Sequence, residues 1–229
     1  MTPRDAGEFE RALRALETRY WHDHPFHQRL HRGKLDAREL RLWAANRWYY
    51  QRCLPQKDAA IIANCPLPRV RRTWLERIAY HDGRTAADGG AQRWLQLAEA
   101  LGMPREEVVD ERHLLPGVRF AVDAYVNFAR SRPWIEGVAS GLTEMFAPGL
   151  MRRRVEAMRE HYPWIAESGF GYFHNRIEAT RGEGRSTLAL VLEHCTTRDQ
   201  QDAALAALAF KCDVLHAVLD AVDYEVGKR

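Results

Sequence analysis

The sequence predicts an all-α protein folded as a single compact helical domain. Apolar residues recur about every 3.6 positions along most of the chain, whereas the alternation typical of strands is almost absent. Proline and glycine separate the helical segments, and no long linker or internal repeat divides the 229 residues. Hydrophobic residues make up 46% of the chain, which is enough for a packed core. We therefore expect residues 1–229 to form one bundle of about seven helices.

The N-terminal half should begin with an amphipathic helix whose apolar face carries Phe9 and Tyr20. Asp36 is suited to cap the second helix, because Glu39 three residues later completes a capping box. We expect this helix to end near Pro55, since proline interrupts a helix interior. Further segments are expected around Trp74 and over 94–101, with a loop rich in glycine and aspartate over 81–90 between them.

The C-terminal half contains the clearest helix of the sequence, over 116–130. Pro116 suits its first position, where the missing N–H group would be unpaired in any case. Tyr125 shares an apolar stripe with Val118, Val122 and Phe128, so a phenol is expected inside the core. The remaining helices are expected over 133–146, 148–160, 164–180, 186–195 and 199–226, with a turn at Gly182 and Gly184.

Charge and composition exclude several classes of function. The net charge is only +3 and the basic residues are scattered, which argues against a nucleic-acid-binding protein. The four cysteines form no Cys-x-x-Cys pair and are expected to be free buried thiols. No signal peptide or membrane-spanning run is recognisable, so we expect a cytoplasmic protein without membrane contact. No motif for dinucleotide binding, phosphoryl transfer or serine hydrolysis occurs.

Polar side chains interrupt the apolar stripes of several predicted helices, and they are the best clue to function. They are Arg47, Gln51, Glu144, Tyr172, Arg176 and Lys211. A buried cation is costly unless it is paired or bound to an anion, so three inward cations predict a pocket for a polyanion. The alternative is internal ion pairing with Glu144, Asp58 or Asp213, or extension of the side chains to the surface.

Histidine offers two further candidates. His24, His27 and His31 have helical spacing, but no Glu-x-x-His pair occurs, so helix capping and surface contacts are favoured over metal binding. His81 ends a helix just before the predicted loop and could transfer protons, because its ordinary pKa is near ~6.5. A histidine that only complements the helix dipole explains this position equally well.

Several segments, taken together and in order, resemble the pyrroloquinoline-quinone synthases over nearly the whole chain. They are 24–27 (HPFH), 45–51 (ANRWYYQ), 57–66 (KDAAIIANCP), 81–83 (HDG) with 88–90 (DGG), 111–125 (ERHLLPGVRFAVDAY), 142–148 (LTEMFAP), 161–164 (HYPW) and 210–213 (FKCD). The resemblance implies a haem-oxygenase-like fold, a homodimer and the last step of pyrroloquinoline quinone biosynthesis. In that step a tricarboxylated bicyclic precursor is ring-closed and oxidised by dioxygen, with release of hydrogen peroxide and without metal or flavin.

The resemblance also implies roles for individual residues. The cationic residues expected to contact substrate carboxylates and quinone oxygens are Arg47, Lys57, Arg154, Arg176 and Lys211. His81 corresponds to a proton-transfer residue, and Tyr172 and Arg176 to groups that close over the ligand and help form the oxygen site. The same pocket is expected to include Tyr20, Gln51, Tyr125 and Glu144.

Two positions depart from the family pattern. Trp21 and Met151 stand where the family is expected to carry pocket histidines, and a thioether cannot shuttle a proton at neutral pH. Two alternatives therefore stand beside the cofactor-free oxidase. One is a related oxidase, with or without two metal ions, that acts on another carboxylated aromatic compound. The other is a non-catalytic carrier of the quinone.

Overall fold

Helices make up nearly all of the regular structure in the computed structural model, which describes residues 2–85 and 87–228 apart from the side chains of residues 180 and 181. Eleven α-helices occur among the described residues: α1 Ala6–Ala15, α2 Pro25–His31, α3 Ala37–Asn64, α4 Pro68–Asp82, α5 Gly90–Ala100, α6 Arg105–Val109, α7 Pro116–Ser131, α8 Trp134–Ser140, α9 Ala147–His161, α10 Gly171–His194 and α11 Arg198–Val226. Four short 3-10 segments are Leu16–Arg19, Trp21–Asp23, Gly141–Met145 and Glu167–Phe170. No strand occurs in this part of the chain, and the all-α prediction is confirmed.

The helix count exceeds the seven expected because several helices are very short. Helices α2 and α8 have seven residues and α6 has five, and segments of this length carry too few turns for periodicity to reveal them. The predicted helix over 133–146 is divided into α8 and the 3-10 segment Gly141–Met145. The predicted loop lies between α4 and α5, with residue 86 outside the described residues. None of the described helices is both long and apolar enough to cross a membrane.

Helix α3 runs through the middle of the fold and packs against α4, α5, α7 and α11. It begins at the predicted capping box: the Asp36 carboxylate accepts from the Glu39 N–H at 2.8 Å, and the Glu39 carboxylate accepts from the Asp36 N–H. The helix does not end near Pro55, as predicted, but continues to Asn64. Pro55 is itself buried, so packing on neighbouring helices outweighs the local cost of the missing hydrogen bond.

Helix α10 also differs from the prediction. The helices expected over 164–180 and 186–195 form one continuous helix from Gly171, with no turn at Gly182 or Gly184. A Cβ atom at position 184 would lie 3.4 Å from the backbone of Met145. Glycine at this position therefore permits close packing against the segment Gly141–Met145 and does not end the helix.

The C-terminal helix α11 completes the bundle by packing against α7 and α8. The rings of Phe128 and Phe210 stack with centres 4.6 Å apart between α7 and α11. On the other side of α3, the Trp94 indole N–H of α5 donates to the Ala44 carbonyl at 2.9 Å. Helices α3, α10 and α11 consequently bring their inward polar residues to one region of the interior.

Candidate functional site

A buried polar cavity lies where α3, α4, α10 and α11 meet the segment Gly141–Met145. Nine of the eleven predicted site residues line it: Tyr20, Arg47, Lys57, His81, Tyr125, Glu144, Tyr172, Arg176 and Lys211. The cavity is narrow and has a volume of about 50 Å³. Its wall contains five basic side chains in a small volume, namely Arg47, Lys57, Arg77, Arg176 and Lys211.

The other two predicted residues stand behind the wall. Gln51 is fully buried, and its side-chain amide donates to the Tyr172 hydroxyl at 2.8 Å, which fixes that phenol. Arg154 is also buried, and its guanidinium lies 2.7 Å from Nε2 of His27. Both residues therefore support side chains at or near the cavity wall and do not line the cavity themselves.

Lys211 occupies an aromatic cage in the cavity. Its ammonium donates to the Tyr50 hydroxyl at 2.8 Å and lies 3.6 Å from the centre of the Tyr125 ring. Among the described residues no carboxylate lies within ion-pair distance of it. Burial, together with the charges of Arg47 and Lys57, lowers the pKa of Lys211 well below its usual value. A bound anion would therefore stabilise the protonated form of this side chain.

Arg47 is held in a similar way by two rings. Its guanidinium carbon lies 3.9 Å from the centre of the Tyr50 ring and 4.7 Å from that of Trp21. Its Nη1 atom is buried and has no hydrogen-bond partner in the described part of the chain. Like Lys211, it presents a charge that the described protein groups do not neutralise.

Arg176, by contrast, forms ion pairs within the protein. Its guanidinium donates to Glu144 at 3.0 Å and to Glu183 at 2.7 Å, and Glu144 also pairs with Arg77. Burial alone would raise the pKa of Glu144, but Arg77 and Arg176 outweigh it and lower that pKa overall. For Arg176, the alternative of an internal ion pair with Glu144 is therefore correct.

Lys57 is likewise neutralised within the protein, since its ammonium pairs with Asp58 and both side chains are buried. The third proposed acceptor, Asp213, pairs with Arg19 at 2.8 Å on the surface and takes no part in the site. The cavity thus combines ion-paired cations with the two unpaired cations of α3 and α11, Arg47 and Lys211.

His81 stands at the end of α4 with its ring in the cavity wall. Burial first, and then the nearby Arg176 and Arg77, lower its pKa well below the usual value, so the imidazole is neutral at pH 7. Its Nδ1 atom has no partner among the described residues. The chain turns back behind it at Gly83 and Gly89, whose φ angles of 84° and 100° favour glycine. His81 is therefore a neutral base or hydrogen-bond partner directed into a cationic cavity.

The two departures from the expected pattern, Trp21 and Met151, both line the cavity. Trp21 stacks edge-on against His27 and supports Arg47. Met151 lies on α9 with its sulfur 4.0 Å from Nη1 of Arg154. The wall that would carry imidazoles in the expected pattern therefore carries an indole and a thioether.

The histidine series of α2 is structural. His24 caps the helix by accepting from the Phe26 N–H, and its other ring nitrogen lies 3.1 Å from Asp220. The capping prediction is confirmed for His24, whereas His27 and His31 are buried and not at the surface as expected. No group of three metal-ligating side chains occurs among the described residues.

Three ionisable residues of the cavity were missing from the set predicted by sequence: Tyr50, Asp58 and Arg77. Helical spacing could have identified two of them. Tyr50 lies three residues after Arg47 on α3, and Arg77 lies four residues before His81 on α4, so each shares a helix face with a predicted residue. Asp58 had been considered only as an ion-pair partner, and this is the part it plays with Lys57.

Comparison with known proteins identifies the family of this chain. Residues 10–221 match the model of the TENA/THI-4/PQQC family. A pyrroloquinoline-quinone synthase of Ectopseudomonas mendocina (strain ymp) is 49% identical over all of this chain and 91% of its own length. The synthase of Cronobacter sakazakii is 47% identical over 94% of this chain and 86% of its own.

Solved structures share the fold at much lower identity. A domain of unknown function with a haem-oxygenase-like fold from Shewanella denitrificans superimposes with a TM-score of 0.81 at 13% identity, over 97% of this chain and 94% of that one. A TenA homologue from P. horikoshii gives a TM-score of 0.73 at 12% identity, over 94% and 96% of the two chains. Sequence and fold lead to one conclusion: this chain is a member of the TENA/THI-4/PQQC family with a haem-oxygenase-like fold.

Proposed function

We propose that this protein is an oxidase that completes pyrroloquinoline quinone biosynthesis. Relatives at 44–49% identity over nearly the whole chain are pyrroloquinoline-quinone synthases. The observation that carries the proposal is the pair of unpaired cations, Arg47 and Lys211, which face one buried cavity beside the neutral imidazole of His81. A substrate with several carboxylates supplies the negative charge that these cations lack.

Binding of the tricarboxylate uses the cations in two ways. Arg47 and Lys211 receive substrate carboxylates directly, and Lys57 and Arg176 do so while they remain paired with Asp58 and Glu144. Pockets for ligands of this size usually measure about 300–1,000 Å³. The present cavity is far smaller, at about 50 Å³, so its walls have to separate before the substrate enters.

The chemistry assigned to the protein is proton transfer at a ring that itself donates electrons to dioxygen. His81 is unprotonated at pH 7 and accepts a proton from the bound precursor. Tyr172, held by Gln51, and Arg176 supply hydrogen-bond donors to oxygen atoms at the ring. The proposed reaction uses no metal or flavin, forms the quinone and releases hydrogen peroxide. The proposal also includes a homodimer and a cytoplasmic location.

Oxygen uptake with the bicyclic precursor tests this function. The purified protein should consume dioxygen and form the quinone absorbance, and metal analysis should find no stoichiometric iron or manganese. A requirement for either metal would favour the related dimetal oxidase. Tight binding without oxygen uptake would favour the carrier, an outcome that the departures at Trp21 and Met151 make worth testing.

A further inference from the structure

Met151 places an oxidisable sulfur in the wall of the cavity. The side chain is only 4% exposed, yet it lines the cavity in which the proposed oxidation takes place. Nη1 of Arg154 is directed at its sulfur from 4.0 Å. Arg154 has no carboxylate within ion-pair distance among the described residues, so it can receive a new acceptor oxygen at this position.

A thioether reacts with hydrogen peroxide in a balanced two-electron step. The sulfur attacks one peroxide oxygen, an S–O bond forms and the O–O bond breaks. The proton on the transferred oxygen passes to the departing oxygen, which leaves as water, so methionine and peroxide give methionine sulfoxide and water. The sulfoxide oxygen is a much stronger hydrogen-bond acceptor than the thioether, and a guanidinium beside it stabilises the product.

We propose that Met151 is a modification site, oxidised to the sulfoxide by the hydrogen peroxide that the enzyme itself releases. The sulfoxide oxygen accepts from Arg154 and converts an apolar part of the cavity wall into a polar one. The enzyme is then progressively slowed by its own product. The source of the peroxide rests on the proposed function, whereas the reactivity of Met151 toward added peroxide does not.

Other methionines provide internal controls. Met158 lies two turns further along α9, is fully buried and does not line the cavity. Met145 is partly exposed and lines a surface pocket near Pro148 and Leu188, on the outer side of the site. Peroxide produced inside the cavity reaches Met151 first, whereas peroxide from bulk solvent also reaches Met145.

The experiment is turnover in the presence of catalase, which removes escaped peroxide, followed by peptide mass spectrometry for the gain of one oxygen atom. The sulfoxide fraction should be about tenfold higher at Met151 than at Met145 or Met158, and it should rise with the number of turnovers. A parallel sample without substrate should show no such rise. The progress curve should slow in step with the sulfoxide fraction at Met151.

Two outcomes overturn the proposal, and they differ from failure of the proposed function. Oxygen uptake with Met151 still unmodified shows that peroxide does not react there. If no oxygen is taken up, the proposed function fails. Peroxide added to the protein without catalase then tests whether Met151 is reactive. Modification of Met151 no faster than that of fully buried Met158 would then show that the cavity does not expose its sulfur.

Discussion

The ammonium of Lys211 lies 3.6 Å from the centre of the Tyr125 ring, in a cavity where no described carboxylate pairs with it. The ring face attracts the charge, but it does not replace the water that the ammonium loses on burial. Helix α11 therefore keeps a cation where an apolar side chain would be easier to bury. An unpaired buried cation of this kind is explained by ligand binding and not by the stability of the fold.

Replacement of Lys211 by methionine should have opposite effects on stability and binding. A well-packed apolar side chain avoids the desolvation cost, so the free energy of unfolding should be unchanged or raised by about 1–4 kcal/mol. Binding of the tricarboxylate should weaken by about 1–3 kcal/mol, because a charged hydrogen bond is lost. Urea unfolding and titration calorimetry measure the two quantities. Unchanged affinity with a loss of stability would mean that Lys211 has a structural role.

Removal of a carboxylate from the ion pairs around Glu144 should, by contrast, lower the free energy of unfolding. Glu144→Gln removes the carboxylate shared by Arg77 and Arg176, and loss of one partner of a buried pair typically costs about 3–5 kcal/mol. We expect about 2–3 kcal/mol, because Arg176 keeps Glu183. Glu183→Gln is the matched control and should cost less, because Arg176 then keeps Glu144 and Arg77 loses no partner. Equal losses in the two variants would contradict a central role for Glu144.

Acid should destabilise the protein through its buried histidines. Burial lowers the pKa of His81 and His27 well below the usual value, and that of His31 to about 4. The unfolded chain binds protons near pH ~6.5 and the folded protein does not, so stability is present above that pH and lost as the pH falls. Each group contributes up to about 1.4 kcal/mol per pH unit. Urea unfolding should be measured between about pH 7.5 and about pH 5. His81→Gln should reduce the pH dependence of the free energy of unfolding by the equivalent of one proton.

Ligand binding should be coupled to proton uptake. Burial and neighbouring cations lower the pKa of Lys211 and His81 in the free protein, and a bound carboxylate opposes both effects. Calorimetric titrations in buffers of different ionisation enthalpy should therefore report net proton uptake on binding. Lys211→Met should reduce this uptake. Binding without proton exchange in either protein would show that both groups keep their protonation state.

Restoring a histidine at position 151 tests the largest departure from the expected pattern. Met151→His puts an imidazole beside Arg154, whose charge favours the neutral, proton-accepting form. We expect the oxygen-dependent steps to accelerate by about tenfold or more, as a general base typically contributes. Stopped-flow measurement of quinone formation checks this rate. Met151→Gln, which is polar but does not titrate, is the control. An unchanged rate in both variants would show that the thioether is neutral for turnover.

Much of the helical structure follows from local chemistry alone. The capping box at Asp36 and Glu39, Pro116 at the start of α7 and the apolar stripe around Tyr125 all depend on neighbours within a few residues. Nine of the eleven predicted site residues line one cavity; some were predicted because they interrupt an apolar stripe, and others, such as Lys57, only from the family resemblance. The stripes depend on helix periodicity, which the sequence displays directly.

Only the tertiary structure decided where helices continue and which charges are paired. Helix α3 passes Pro55 and α10 passes Gly184 because neighbouring helices favour continuation, and no local signal reports those neighbours. Arg176 and Lys211 interrupt their stripes in the same way. Arg176 nevertheless pairs with two carboxylates, whereas Lys211 contacts the phenols of Tyr50 and Tyr125. Lys211 and Tyr50 lie 161 residues apart in sequence. The energy of a buried charge depends on distances of this kind across the fold, and so tertiary packing determines which cations remain free for a ligand.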